Sequence, residues 1–447
     1  MTKNLDQFNS DIEISEEVDF SKKKLLRDAL GGIIPQYYDA RDGVFKPITI
    51  DLLMGGNGGN PGDPVIPGDG DDDVIIEPVI YGVKIDTSNP DPESAVTYTD
   101  DSASFTPSKG NNGLVDYGSW EDKFPFNLMK PCLLKNGEVN YYLDKKNYTK
   151  KSNGQPSDIT TGNDGDVMVE FPPVYWKFEK VGKDLYIRIS NIKVDDGYKN
   201  LAHVSGDKEL SKIYLAAYLG YREGSKLRSL SGKMPTAQLS IGEFREAAHL
   251  NGDGYEQALY YQIMMLQVFS LIMFKSRDGQ KALGRGRVYD NYDYKQTGTA
   301  DEKGMFYGEN SGKYQIKFCG IEDFWGNFNI WLDGICTGSL WHLLTSTENF
   351  NDTGEGYFDH GRVAGTMNYG SIDNILGTTE TGFILSSGRG TETTHYADYG
   401  FLDANSVTLF GGGKTDNFRA GPFSVSIGSD PTSTHASTTA RLSFLKS

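Results

Sequence analysis

The chain has 447 residues, enough for two or three domains, with 44 basic against 61 acidic side chains and a net charge of −17. That balance, with no long basic run, argues against a nucleic-acid groove. Three cysteines, Cys132, Cys319 and Cys336, are too few for a disulfide framework and suit a reducing cytosol. The 53 glycines, 26 tyrosines and 23 phenylalanines fit a loop-rich protein of short strands whose surface binds through aromatic and hydroxyl groups.

The first stretch, MTKNLDQFNSDIEISEEVDF, is acidic and polar, unlike a signal peptide. SKKKLLRDALGGI, residues 21–33, predicts a short helix stopped by Gly31 and Gly32. YYDARDGVFKPITIDLL predicts a hairpin turning at residues 41–43. From 55 to 73 only Val65 and Ile66 depart from Gly, Asn, Pro and Asp, so this segment cannot bury apolar surface and reads as a flexible linker. Its acids Asp69, Asp71, Asp72 and Asp73 lack the terminal Glu of an EF-hand loop, so a solvated linker outweighs a Ca²⁺ site.

VIIEPVIYGVKID reopens the fold at Val74. DVMVEFPPVYWKF and DLYIRISNIKV alternate apolar and polar residues around Gly182 and predict an antiparallel pair. SIGEFREAAHL predicts a helix with Ser240 as its cap, Glu243 completing a capping box, and Gly252 and Gly254 ending it. Residues 255–274 predict a second helix. It contains the longest apolar run, ALYYQIMMLQVFSLIMF, which Gln262 and Gln267 interrupt. The run falls short of the ~20 residues a membrane span needs, so a buried helix without membrane insertion is expected. Beyond it lie short runs broken by glycine, expected as loops on a small sheet.

GIEDFWGNFNIWLDGI gathers Phe324, Trp325, Phe328 and Trp331 beside Glu322, Asp323, Asn327, Asn329 and Asp333. A glycosidase could use Glu322 and Asp333 as an acid and nucleophile pair. Acidic sequences offer many such pairs, and a turn at Gly326 and Asn327 with buried aromatics is the stronger expectation. The six histidines, His203, His249, His342, His360, His395 and His435, form no H-E-x-x-H and no pair with a cysteine at metal spacing. FDHGR and THYAD hold lone loop histidines. No G-x-S-x-G elbow or Walker loop occurs, so no catalytic residue, metal or cofactor is expected. ALGRGRVYDN sets Arg285 and Arg287 among glycines, where phosphate could bind, without a strand–loop–helix setting. GNDGDVMVE reads as a tight turn before a strand rather than a Ca²⁺ chelate.

The last segment, LFGGGKTDNFRAGPFSVSIGSDPTSTHASTTARLSF, is rich in small polar residues between the anchors Phe410, Phe418, Phe423, Val425, Ile427, Leu442 and Phe444. A pinned scaffold that presents polar groups is the layout of a binding surface. A polar loop with edge strands fits the same composition, and both readings stay open at this point.

GIEDFWGNFNIWLDG resembles the W-G-N-x-x-E-W core motif of C-type-lectin-like domains of the formylglycine-generating-enzyme and phage tropism-determinant type. Asn329 and Ile330 depart from its usual run, and Trp331 keeps the final aromatic. The C-terminal segment is similar to the variable region of such domains, with residues 440–444 as the closing strand. The stretch from Tyr81 through RSLSGKMPT and FKSRDGQKALGRGRV is similar to structural proteins of tailed phages and prophages. The resemblance implies an α+β protein: a small N-terminal anchor, a Gly/Pro/Asp linker, then a C-type-lectin-like domain with short antiparallel strands, two helices and long loops. Its parts would be a virion-anchoring and oligomerising unit at 1–53, a linker at 54–73, a β-rich domain at 74–200 and a ligand-binding domain at 201–447.

The function implied is a head or tail fibre on the virion surface, made in the host cytoplasm and released by lysis. Capsid or tail proteins would be partners through the N-terminal unit, and the fibre would be a homotrimer. The enzymatic branch of the family uses a cysteine pair near the end of the domain. No cysteine follows Cys336, so no enzyme is expected. The match carries over to Lys414, Asp416, Asn417, Arg419, Ser424, Ser426, Ser429, Asp430, Thr432, Thr434 and His435 as solvent-facing positions for a host-surface glycan or protein. Phe418 or Tyr399 would supply a flat apolar partner for a sugar. Phe423, Arg441 and Leu442 match framework positions. A polysaccharide depolymerase acting through Asp or Glu, and a purely structural capsid decoration, are the alternative functions.

Overall fold

A computed structural model describes residues 77–289 and 293–445, and the backbone of two strands before them. Contacts divide the chain into Met1–Ile75 and Ile76–Ser447. In the first unit Gln36–Asp39 pairs antiparallel with Val44–Pro47, with Asp39 opposite Val44, which is the hairpin expected there. The helix expected over 21–33 and the linker over 55–73 lie outside the described residues.

In the second unit an antiparallel seven-stranded sheet organises two cores. Its order is Tyr255–Gln257, Leu442–Phe444, Ile213–Ala216, Asp166–Phe171, Lys130–Lys135, Glu138–Asp144 and Asn147–Lys151. Strands from both sides of residue 200 therefore pair directly, Phe171 opposite Ile213. Side chains alternate between the faces of a strand. Leu133, Val167, Val169, Phe171, Ile213 and Leu215 enter the larger core, while Cys132, Leu134, Met168, Tyr214, Ala216, Leu442 and Phe444 enter the smaller one.

Helix α1, Ile241–His249, covers the smaller core with Ile241, Phe244, Ala247 and Ala248. Ser240 Oγ accepts from Glu243 N and the Glu243 carboxylate accepts from Ser240 N, so the capping box forms as expected. Helix α2, Tyr260–Phe274, is buried at all fifteen positions. A helix that is apolar all round belongs inside a core. Its polar groups find partners there: Tyr260 Oη donates to Thr381 O at 2.7 Å and Gln267 Nε2 to Pro422 O at 2.8 Å. A short helix α3, Gly279–Ala282, follows, with Asp278 Oδ1 accepting from Lys281 N at its start. A four-stranded antiparallel sheet, Tyr175–Val181, Asp184–Ser190, Ile80–Asp86 and Val96–Asp100, packs on α2, and the expected hairpin at Gly182 is part of it.

The expected small lectin-like domain of short strands, two helices and long loops is not what forms. Strands hold 36% of the described residues and helices 10%, with three α-helices, and the sheets are large and curled. Two readings account for the difference. The helix expected over 255–274 starts only at Tyr260, because Tyr255–Gln257 is a strand paired with Leu442–Phe444. The glycine-broken runs after α3, expected as loops on a small sheet, build an eight-stranded one. Its main path runs Phe358–Arg362, His342–Thr345, Asn329–Thr337, Ser406–Phe410, Val425–Ser429, Tyr399–Leu402 and Asn368–Ser371, and Thr438–Thr439 pairs with Asn329–Thr337 off that path. Laid flat, that path would separate its two edges by roughly 29 Å at ~4.8 Å per strand. Residues 363–367 join those edges directly and reach roughly 20 Å at most. The sheet must therefore curl.

The aromatic stretch lies at the junction of these parts. Phe324, Trp325, Phe328 and Trp331 are all buried, and Gly326 and Asn327 turn the chain at φ 80° and 62°. A Cβ at Gly326 would stand 2.9 Å from Arg287 N, so glycine is required there twice over. Asn327 holds its turn by donating to Lys295 O and Asp323 Oδ2 and accepting from Lys295 N. Arg441, fully buried before the last strand, donates to Ala216 O, Glu322 O and Asp323 O at 2.9, 2.7 and 3.0 Å. One guanidinium thus ties the seven-stranded sheet, the aromatic turn and the C-terminal strand together.

This junction makes stability depend on pH. Burial pushes the Asp323 carboxyl up to about 7, against the lowering effect of its Gln315 and Asn327 donors. Burial, then the Asp323 and Asp301 carboxylates, push Glu322 up to about 8. The folded state keeps protons that the unfolded chain releases above pH ~4, so stability falls as pH rises through 7 and 8. Lys317, lowered to about 8 by burial, acts in the opposite direction only above that pH. Asp323 Oδ2 accepts both donors while Oδ1 has no partner, so Asn fits the same contacts. Asp323→Asn is expected to flatten the fall in melting temperature between pH 5.5 and 8 and to melt above wild type at pH 8. A wild-type slope in the variant would contradict this assignment.

Candidate ligand-binding site

The chain leaves Ser406–Phe410 through Gly411 and Gly412, at φ 87° and 72°. A Cβ at Gly411 would stand 3.2 Å from Phe324 O, so the turn lies directly on the aromatic core. From there residues 413–424 are pinned from beneath. Gln280 Nε2 on α3 donates to Asn417 O and Ala420 O at 2.7 and 2.6 Å. Gln267 of α2 holds Pro422 O, and Asp398 Oδ2 accepts from Phe423 N at 2.7 Å. Phe423 is buried against Phe383 and Tyr396.

On this frame the structure gathers six of the expected residues. The Arg419 guanidinium lies 5.0 Å from the Tyr399 ring and 6.0 Å from the Phe418 ring, a distance at which cation and ring attract. Lys414 Nζ lies 5.0 Å over the Tyr294 ring. Asp416 Oδ2 accepts from Gly413 N at 2.6 Å, and Asn417, at φ 53°, accepts on Oδ1 from Arg285 Nη2. Phe418 lines an open cavity of about 370 Å³ with Gln280, Lys281, Arg285, Asn310 and Glu392. Donors, carboxylates and one ring face therefore meet in a single hollow.

Of the expected residues only Phe418 lines that hollow; those beyond residue 419 lie elsewhere or turn inward. Ser424 is buried and donates to Tyr399 O at 3.1 Å, so it is not a solvent-facing position. Ser426 and Ser429 belong to the strand Val425–Ser429. Asp430 Oδ1 accepts from Thr432 N and Oγ1 and closes its own turn. Thr434 and His435 are exposed on the following loop, where the His435 ring lies 6.5 Å from Trp331. Of the framework positions, Phe423, Arg441 and Leu442 are all buried.

A larger cavity, of about 630 Å³, escaped the sequence reading. Tyr261 at the start of α2, the strand His342–Thr345, the edge strand Phe358–Arg362 and Glu380 contribute to its wall. Tyr261 Oη and Thr345 Oγ1 are 2.9 Å apart, and Thr345 Oγ1 and His360 Nε2 are 2.7 Å apart. Burial keeps His360 below the usual histidine range. The FDHGR motif carried this histidine, but its partners come from distant segments.

The other motifs resolve into structure. Glu322 and Asp333 are buried and line neither cavity. Asp333 accepts two bonds from Arg245, at 2.8 and 2.6 Å, and one from Gln257 at 2.7 Å. Arg287 is buried and donates to Lys313 O and Asp293 O, whereas Arg285 reaches the smaller cavity. Gly162 and Gly165 turn the chain before Asp166, which accepts from Arg228 and Ser229 N, so GNDGDVMVE is a turn. Among the described residues no group of three or more His, Cys, Asp or Glu could hold a metal ion, and no helix is long and apolar enough to cross a membrane. No protein-family model matches the chain, and no curated protein matches it in sequence.

Proposed function

We propose that this protein is a non-enzymatic virion surface fibre, on head or tail, that binds a host-surface glycan through the loop 414–419 and the hollow that Phe418 lines. One observation carries the reading: the loop's backbone is fixed by buried amides of Gln267 and Gln280, while Phe418 lines an open, mixed-charge cavity and the neighbouring Asn417 and Arg419 are exposed. Rigid support beneath adaptable polar groups limits the ordering cost of binding. Sugar hydroxyls take forked donors and acceptors, and a sugar's C–H face takes a ring. The likeness of the C-terminal segment to variable regions of phage ligand-binding domains supports the same face.

Each hydrogen bond won from water contributes only ~1 kcal/mol, so one such site binds weakly. A homotrimer would present three sites at once and convert weak binding into attachment. The N-terminal unit would hold the trimer on capsid or tail proteins. A glycan array probed with the full chain, beside a reducing-sugar release assay on the same glycans, tests the proposal. Retention of a defined glycan class without sugar release is expected. Release of reducing ends would instead make it a depolymerase, and no retention on the array or on host cells would leave a structural decoration.

A further inference from the structure

We propose that the 630 Å³ cavity is a second ligand site and that its ligand is an amino sugar, a pyranose carrying a protonated amine. Its size falls in the ~300–1,000 Å³ range of small-molecule sites. Three carboxylates, Glu348, Glu355 and Glu380, line it, and no Lys or Arg does. None of the three forms an ion pair with any described residue, although the chain pairs many of its other surface acids. The wall is therefore anionic and uncompensated, which favours a cation.

An acidic wall alone would not define a ligand, but this wall also carries a ring. Phe358, on the edge strand, is 68% exposed, and its ring meets that of His360 edge-on at 4.9 Å. A large apolar side chain left open beside carboxylates offers a face to the C–H side of a sugar and to its ammonium group. Thr347 and Asn349 add hydroxyl and amide groups to the lining. The Tyr261–Thr345–His360 chain of hydrogen bonds fixes the floor beneath them. Aromatic face, hydroxyl partners and an anionic wall together fit a hydroxylated ring that bears a positive charge.

This site shares no lining residue with the hollow around 414–419, so the two proposals stand or fall separately. The test is calorimetric titration of the full chain, at mildly acidic pH and low salt, with the glucosamine disaccharide, its di-N-acetylated form and Nα-acetyl-lysine amide. The free-amine disaccharide is expected to bind at least about ten-fold more tightly than the acetylated one, the size of one charge-assisted contact. Added salt should weaken it. Glu380→Gln and Phe358→Ala, both at the cavity wall, should each lose about ten-fold in affinity at an unchanged melting temperature. Substitutions in 414–419 should leave this binding intact. Equal affinity for the two disaccharides, no heat from either at millimolar concentration, wild-type affinity in either variant, or equally tight binding of the lysine amide would each overturn the proposal.

Discussion

Trp331→Ala is expected to lower the unfolding free energy of the second unit by roughly 3–5 kcal/mol, the cost of deleting a large buried aromatic side chain. Trp331 has no exposed surface and packs in the smaller core with residues of α1 and of the last strand. Its Nε1 donates to Leu239 O at 3.1 Å, and that carbonyl would lose its partner as well. Denaturant unfolding followed by tryptophan emission and circular dichroism measures the loss. A variant that unfolds with the wild type but no longer binds a glycan would make Trp331 a ligand contact instead of a core residue.

Arg441→Ala should be as damaging for a different reason. It removes no large apolar surface, yet it strips donors from three buried carbonyls in two separate segments. It also removes the cation that faces the buried Glu322 and Asp323 carboxyls. Leaving buried partners unpaired in this way costs roughly 3–5 kcal/mol. Arg441→Lys should rescue little, because one ammonium cannot reproduce a planar fork that reaches Ala216, Glu322 and Asp323 together. Unfolding midpoints for both variants decide the point, and a lysine variant at wild-type stability would show that charge alone matters at this position.

What could be read from the sequence was local. The capping box at Ser240 and Glu243, the hairpin at Gly182 and the burial of α2 each follow from residues within one turn or one strand pair of each other. The burial of Trp325 and Trp331 followed from their crowding around Gly326 and Asn327. What escaped depends on segments far apart in the chain. Tyr255–Gln257 runs into the apolar helical segment with no Gly or Pro between, and only pairing with Leu442–Phe444 makes it a strand. The eight-stranded sheet is assembled from runs of two to nine residues, too short to show a period of their own.

The same limit applies to the site. The loop 414–419 stands out in composition, but the amides of Gln267 and Gln280 that fix it sit in segments read as apolar helix and glycine-rich loop. Ser424 reads like its serine neighbours, and only the Tyr399 carbonyl turns it inward. His360 was visible as a lone histidine, whereas Thr345 and Tyr261 reach it only through the fold.

Residues 414–419 are expected to present a binding surface that the fold does not need. Asp416→Ala and Arg419→Ala remove exposed or half-buried polar groups, changes that shift stability by less than ~0.5 kcal/mol as a rule. Asn417 sits at φ 53°, where Ala would add roughly 1–2 kcal/mol of strain, so Gly is the substitution to use there. The deciding measurement is the glycan array run side by side on wild type and the triple variant Asp416→Ala, Asn417→Gly, Arg419→Ala, with melting curves for both. Loss of glycan retention with an unchanged melting temperature and oligomeric state is expected; wild-type retention by a variant that melts normally would contradict a binding role for this loop.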